Sequence, residues 1–414
     1  MKTIIPSHTH STSDRCPSAP PYSRQQRNFA VSTASAALFF LVIFLVALRL
    51  LGDTQLHDYH AFWYGSRNLL SGANPYSTPN DLPTDAGGLV KSWYLWYPPM
   101  LFSVVIPFTV FPYHIGQALW LTFLLLCVLG SCLLTVEMPK LRTLRGAATA
   151  LFICSFFPFL SGLQLGQISQ LMPLLFALFL WRMRGSKHGI CGDTLAGIAL
   201  GVMLIKPHNF FVLLGFLGGA SLRSKDFRTL LGVFMGVTAI SIPPIIIQPQ
   251  VISQFLEAYR LSPPVGWIGA NLSTLLLVIF EGHTELRYLF PFLFGISGVT
   301  AGYWFGSQAT PLDFCWTRII ACILPALSLL GSPYGWFHDQ AILLPGILVL
   351  ISANNAQVVK RVPYVVYLTI LNLAATISIG HFGQQVYIAY PIIIVALALH
   401  SIAKSSSHQL PSSE

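Results

Sequence analysis

Apolar stretches separated by short polar breaks run through almost the whole chain, and they fix its solvent before they fix its fold. The first, Ala30 to Leu51, carries one charge, Arg49. As a helix it reaches about 33 Å, enough to cross the hydrocarbon core of a bilayer. Similar stretches follow at Ile115–Val136, Leu230–Ile247 and Tyr288–Phe305. Only 9% of the 414 residues are charged, too few to clothe these stretches in a water-facing surface. A backbone in lipid must satisfy its own hydrogen bonds, and helices do so within one segment. The chain therefore reads as an all-α integral membrane protein.

The basic residues set the orientation. Residues 1–29 are rich in Ser, Thr and Pro, carry Arg15, Arg24 and Arg27, and cannot bury a core; they read as a disordered cytoplasmic tail. Ala30–Leu51 is too long for a signal peptide and reads as a retained helix. Residues 52–98 then form the first extracytoplasmic loop. Met100–Pro112 is too short to span and reads as re-entrant or interfacial. Alternation continues through residue 403, placing Arg142, Arg184, Arg223, Arg318 and Lys360 in the cytoplasm, with 404–414 as a second cytoplasmic tail. The expectation is one transmembrane domain over 30–403 with about 12 crossings, least defined around 249–287. Gln248–Ala270, polar and Pro-rich, is expected outside. Several spans, such as Leu195–Ile205, fall short of the roughly 20 residues a straight crossing needs. Broken backbone at membrane depth is tolerated where it lines a cavity, so a polar cavity is expected near the outer leaflet.

The excess of 23 Lys and Arg over 14 Asp and Glu follows this inside bias and marks no nucleic-acid surface. The seven cysteines lie mostly within apolar runs and show neither metal spacing nor a disulfide framework. No cofactor motif appears. His57, His60, His338 and Asp339 offer no i, i+4 ligand pair on an expected helix, so no metal is expected either.

Chemistry gathers at the outer ends of the short spans. Asp58, in LHDYHAFWYG, stands just beyond the first span and has the reach of a general base. It equally suits a solvated loop carboxylate or the N-cap of a helix from Tyr59 to Leu70. Tyr94, Trp96 and Tyr97 suit a sugar ring or an interfacial aromatic belt. Gln164, Gln167 and Gln170 form an amide-rich break, or a plain loop. Lys206 lies between two short spans, where Pro207 interrupts the helix. An ionisable residue at that depth suits a lipid phosphate, or it snorkels to the interface. His338 and Asp339 open a later helix and suit a phosphate, sugar hydroxyls, or capping. His60 and Arg67, beside Asp58 in the loop, complete the candidate substrate-facing set.

In order along the chain, DYHAFW, GANPY, WYPPM, GQISQLM, KPHNF and SPYGWFHD resemble glycosyltransferase family 87. The resemblance runs from about residue 35 to about residue 400. It implies a GT-C-type polytopic bundle in the plasma membrane, with its active site on the extracytoplasmic side. It implies an inverting transfer of a sugar, mannose first, from a polyprenyl-phosphate donor to a glycolipid or glycan acceptor. By the same resemblance Asp58 is the general base, Lys206 a phosphate contact, and His338 and Asp339 substrate contacts. The competing expectation is a transporter or flippase of lipid-linked sugars. That reading calls for an internal repeat and for charges along a path through the bilayer, and the sequence offers neither clearly.

Overall fold

The computed structural model describes residues 56–77, 95–135, 152–185 without 154, 189–261, 268–280, 283–306, 314–352 and 383–407, with a few positions between 370 and 378. The expected tail 1–29, the first span and most of the span Val365–Ile379 lie outside the described residues.

Every regular element among the described residues is helical. The order begins with α1 (His57–Leu70), α2 (Leu101–Thr109), α3 (Tyr113–Thr135), α4 (Phe157–Leu165) and α5 (Met172–Gly185). There follow α6 (Thr194–Met203), α7 (Phe211–Ser224), α8 (Arg228–Ile247), α9 (Val251–Leu261) and α10 (Leu272–Ile279). The chain closes with α11 (Leu289–Phe305), α12 (Phe314–Arg318), α13 (Leu324–Gly331), α14 (Leu344–Ser352) and α15 (Ala389–Ser407). By length and apolarity α3, α8 and the run Gly383–Ala403 can each cross a bilayer. Four more apolar runs are shorter, at Thr194–Met203, Phe211–Ser224, Cys315–Gly331 and Phe337–Ile351. Large apolar side chains point outward from α8 and α11: Phe234 is 65% exposed, Ile246 74% and Trp304 66%. Such faces suit lipid and would be costly in water. The protein is a membrane protein.

With lipid outside, helices gain little by hiding apolar surface from one another, and close backbone approach takes over. Gly197 and Gly201 of α6 meet Gly232 and Gly236 of α8; a Cβ on Gly197 would stand 2.9 Å from the Cα of Gly232. The pair α7 and α11 repeats the device, with a Cβ on Gly302 falling 2.8 Å from the Cα of Phe216. At one end of this assembly Asp193 caps α6 through Ala196 N at 2.8 Å and pairs with Arg182 of α5 at 2.9 Å.

Three local expectations change. α1 begins at His57 with Leu56 as N-cap, so Asp58 sits inside the first turn and is not itself the cap. The segment 248–270, expected as a polar, Pro-rich outer stretch with no helix assigned to it, contains α9, whose Val251, Phe255 and Tyr259 fall at i, i+4 and i+8. Its flanking prolines and polar residues hide that period when the segment is read as a whole. The last helix runs to Ser407, past the expected boundary at residue 403, because the end of the apolar run marks where lipid stops and not where helical hydrogen bonding stops.

Candidate active site

Three interruptions of helical backbone converge on one point. α4 ends at Gly166, whose φ of +70° is the left-handed geometry that glycine adopts without strain, and a 3-10 turn, Ile168–Leu171, follows. α6 ends at Met203, and Lys206 precedes the 3-10 turn Pro207–Asn209. The third is the 3-10 helix Phe337–Leu343 that leads into α14. Each break delivers one member of a buried polar cluster: Ser169, Lys206 and Asp339.

Lys206 Nζ donates to Asp339 Oδ1 at 2.7 Å, to Ser169 Oγ at 2.7 Å and to Gln167 Oε1 at 3.0 Å. All three ammonium hydrogens are thereby engaged. Ser169 Oγ donates in turn to Asp339 Oδ1 at 2.7 Å. The other oxygen, Oδ2, accepts from the backbone of Trp336 at 2.9 Å and lies 3.5 Å from His208 Nε2. Lys206 and Asp339 are almost fully buried, so each compensates a charge that would otherwise be costly. The Lys206 ammonium also stands 5.1 Å from the ring centre of Tyr97.

Asp58 faces this cluster from α1. Its Oδ2 accepts from Gln167 Nε2, while Gln167 Oε1 accepts from Tyr97 Oη at 2.7 Å. The approach of α1 depends on Gly166, since a Cβ there would stand 2.8 Å from Tyr59 Cβ and 3.1 Å from Leu56 Cβ. Trp120 of α3 secures the turn by donating from Nε1 to the Gly166 carbonyl at 2.8 Å. Tyr97 is placed by a second loop. Asn74 accepts from Tyr76 N at 2.9 Å in an Asx turn, and Tyr76 Oη donates to the Tyr97 carbonyl at 3.0 Å. The GANPY and WYPPM motifs are thus two halves of one support.

These side chains open onto a cavity of about 450 Å³. Asp58, Tyr97, Gln167, Lys206, His208, His338 and Asp339 form its polar end; Leu95, Trp96, Met100, Leu204, Phe255 and Trp336 belong to a larger apolar and aromatic remainder. Asp58 is half-buried and lies outside the membrane-crossing runs. Burial pushes its carboxyl up to about 6, against the pull of the Lys206 ammonium and the hydrogen bond from Gln167. His338 is buried in the cavity wall, its ring parallel to that of Trp336, and its two nitrogens have no hydrogen-bond partner among the described residues.

Of the residues expected from sequence, the cavity gathers Asp58, Tyr97, Gln167, Lys206, His338 and Asp339. His60 and Arg67 lie elsewhere. On a helix they stand about 200° and 180° around from Asp58, whereas Ala61 and Phe62 share its face and line the cavity. His60 packs edge-on to Tyr64 and Tyr113. Arg67 lies 5.4 Å from the Trp63 ring and points its guanidinium toward the Thr109 carbonyl at 3.5 Å. Gln164 is exposed and Gln170 buried, and neither lines the cavity. Tyr94 lies outside the described residues. Ser169 and His208 belong to the site without standing out in the sequence, although each lies beside a candidate residue, in GQISQ and in KPHN.

The profile of glycosyltransferase family 87 matches residues 94–333, more than half of the chain. The chain belongs to glycosyltransferase family 87. It is a glycosyltransferase of the membrane, and the cavity is the candidate active site of that activity. The family match takes in Tyr97, Gln167, Ser169, Lys206 and His208. Asp58 and the His338–Asp339 pair lie beyond it and join the site through the contacts described above. Neither curated proteins nor solved structures give a match.

Proposed function

We propose that this family 87 enzyme transfers a sugar, mannose in the first instance, from a polyprenyl-phosphate donor to a glycolipid or glycan acceptor, with inversion at the anomeric carbon. The plasma membrane is its site, reached by about 12 crossings, with the cavity open to the extracytoplasmic side. The observation that carries this reading is the cavity's division. Among the described residues, one end holds the half-buried carboxylate of Asp58 beside a buried, neutralised lysine–aspartate pair; the rest is apolar and aromatic, suited to a lipid chain and to sugar faces.

The chemistry follows from that division. Asp58 accepts the proton of an acceptor hydroxyl as its oxygen attacks C1 of the donor sugar. The bond from C1 to the carrier oxygen breaks, and its electron pair leaves on the phosphate. Lys206, with its hydrogens held by Gln167, Ser169 and Asp339, acts on that phosphate as a fixed positive end of an oriented pair. His208 lies beside it as a further donor. His338 and the neighbouring aromatic rings face the sugar.

Incubating the purified enzyme in lipid with radiolabelled polyprenyl-phosphate-mannose and a membrane lipid extract tests the reading. The expected result is a labelled glycolipid or glycan. No transfer from mannose, glucose or arabinose carriers would overturn it in favour of transport.

A further inference from the structure

The side-chain amide of Gln167 has one orientation available to it. Its Oε1 receives Tyr97 Oη at 2.7 Å and Lys206 Nζ at 3.0 Å. An ammonium has hydrogens and no acceptor, so a turned amide would set NH₂ against NH₃⁺. Lys206 in turn is fixed by Asp339 and Ser169. With Oε1 held from two sides, the amide nitrogen faces Asp58 and donates to Oδ2. We propose that Gln167 is the positioning residue of the catalytic base, occupying one oxygen of Asp58 and leaving the other for the hydroxyl it must deprotonate. Gln167 is among the candidate substrate-facing residues, yet its acceptor is already spent on the protein. The proposal rests on the reading of Asp58 as the base.

Two consequences separate positioning from substrate binding. A carboxylate that accepts an amide hydrogen is favoured in its charged form, so losing that hydrogen raises the pH at which the base works. Among the described residues, the other charged or titratable groups around Asp58 are Lys206 and Asp339 across the cluster, Tyr97 beyond Gln167, and His208 and His338 in the cavity wall. His60, on Asp58's own helix, turns away toward Tyr64 and Tyr113. None of these donates to Asp58 Oδ2 in place of Gln167. The effect also reaches Asp58 from Tyr97, because Tyr97→Phe leaves the amide held by Lys206 alone.

The test is the pH profile of kcat/KM for sugar transfer, from about pH 5 to 9, in wild type, Gln167→Leu, Gln167→Glu and Tyr97→Phe. The expected result in Gln167→Leu is an acid limb moved to higher pH by about one unit, equivalent to about a tenfold loss on that limb, with recovery at alkaline pH and an unchanged donor KM. Gln167→Glu sets a second carboxylate beside Asp58 and moves the limb further; Tyr97→Phe moves it less, in the same direction. An acid limb that stays in place in both Gln167→Leu and Tyr97→Phe, with loss uniform across pH or a raised donor KM, would overturn the proposal. A wild-type profile with no acid limb would remove the Asp58 reading and the proposal together.

Discussion

Lys206 and Asp339 meet at 2.7 Å in a place from which water is almost excluded, and each is tolerable there because of the other. Removing one partner leaves a buried charge uncompensated, which costs about 3–5 kcal/mol. Lys206→Met should therefore sharply lower thermal stability in detergent, while Lys206→Met combined with Asp339→Leu should recover much of the loss. Equal destabilisation in the single and double variants would show that the pair is not the source of the cost. Asp58 gives a second prediction at this scale. Its carboxyl is pushed up to about 6, and a base works only when deprotonated. Transfer should be at its plateau above that pH and fall as pH drops through about 6. A profile flat down to pH 4 would place the base elsewhere. The residues legible in the sequence were those whose chemistry is conspicuous at an apolar break: Asp58, Lys206, Gln167 and Asp339. Ser169 was not, because a serine in a polar break looks like any loop residue until its partners are known. His60 and Arg67 stand near Asp58 along the chain, and the helical period carries both to other faces.

Neighbouring helices are held here by their thinnest points. A Cβ on Gly232 would collide with the Thr194 carbonyl and stand 2.9 Å from Gly197 Cα. Gly232→Leu should force α6 and α8 apart and cost about 1–3 kcal/mol by overpacking, read as earlier unfolding in a denaturing detergent titration. Gly218 of α7 has open space around its Cα, so Gly218→Ala should leave the same titration unmoved. Gly166 couples an element to the site. Gly166→Ala combines a left-handed backbone with contact against Tyr59 and Leu56, so it should push α1 back and separate Asp58 from Gln167. Its effect on transfer should exceed its effect on stability. At this scale the sequence showed where helices break, because Pro207 and the polar breaks are punctuation. It did not show what the breaks build: the convergence of three 3-10 turns depends on contacts between residues far apart in the chain. α9 escaped notice because its inward positions are diluted by polar neighbours.

Among the described residues, helices with apolar outer faces surround a small polar cluster, and the half-buried carboxylate of Asp58 faces that cluster at the cavity. This arrangement suits a reaction whose donor is anchored in lipid while its acceptor arrives at the headgroup boundary. Membrane character was legible from apolar runs and scarce charge, since bilayer thickness imposes a length on sequence directly. The spans too short to cross pointed to a cavity as well, but not to the residues that enclose it, because those come together from segments far apart in the chain. Asp58 is the centre of the proposed chemistry, and the most direct measurement compares wild type with Asp58→Asn in lipid bilayers, following sugar transfer from a labelled polyprenyl-phosphate donor alongside donor binding. The expected result is a fall in kcat of about 10²–10⁴-fold with donor binding retained. Asp58→Asn transferring sugar at the wild-type rate would contradict it.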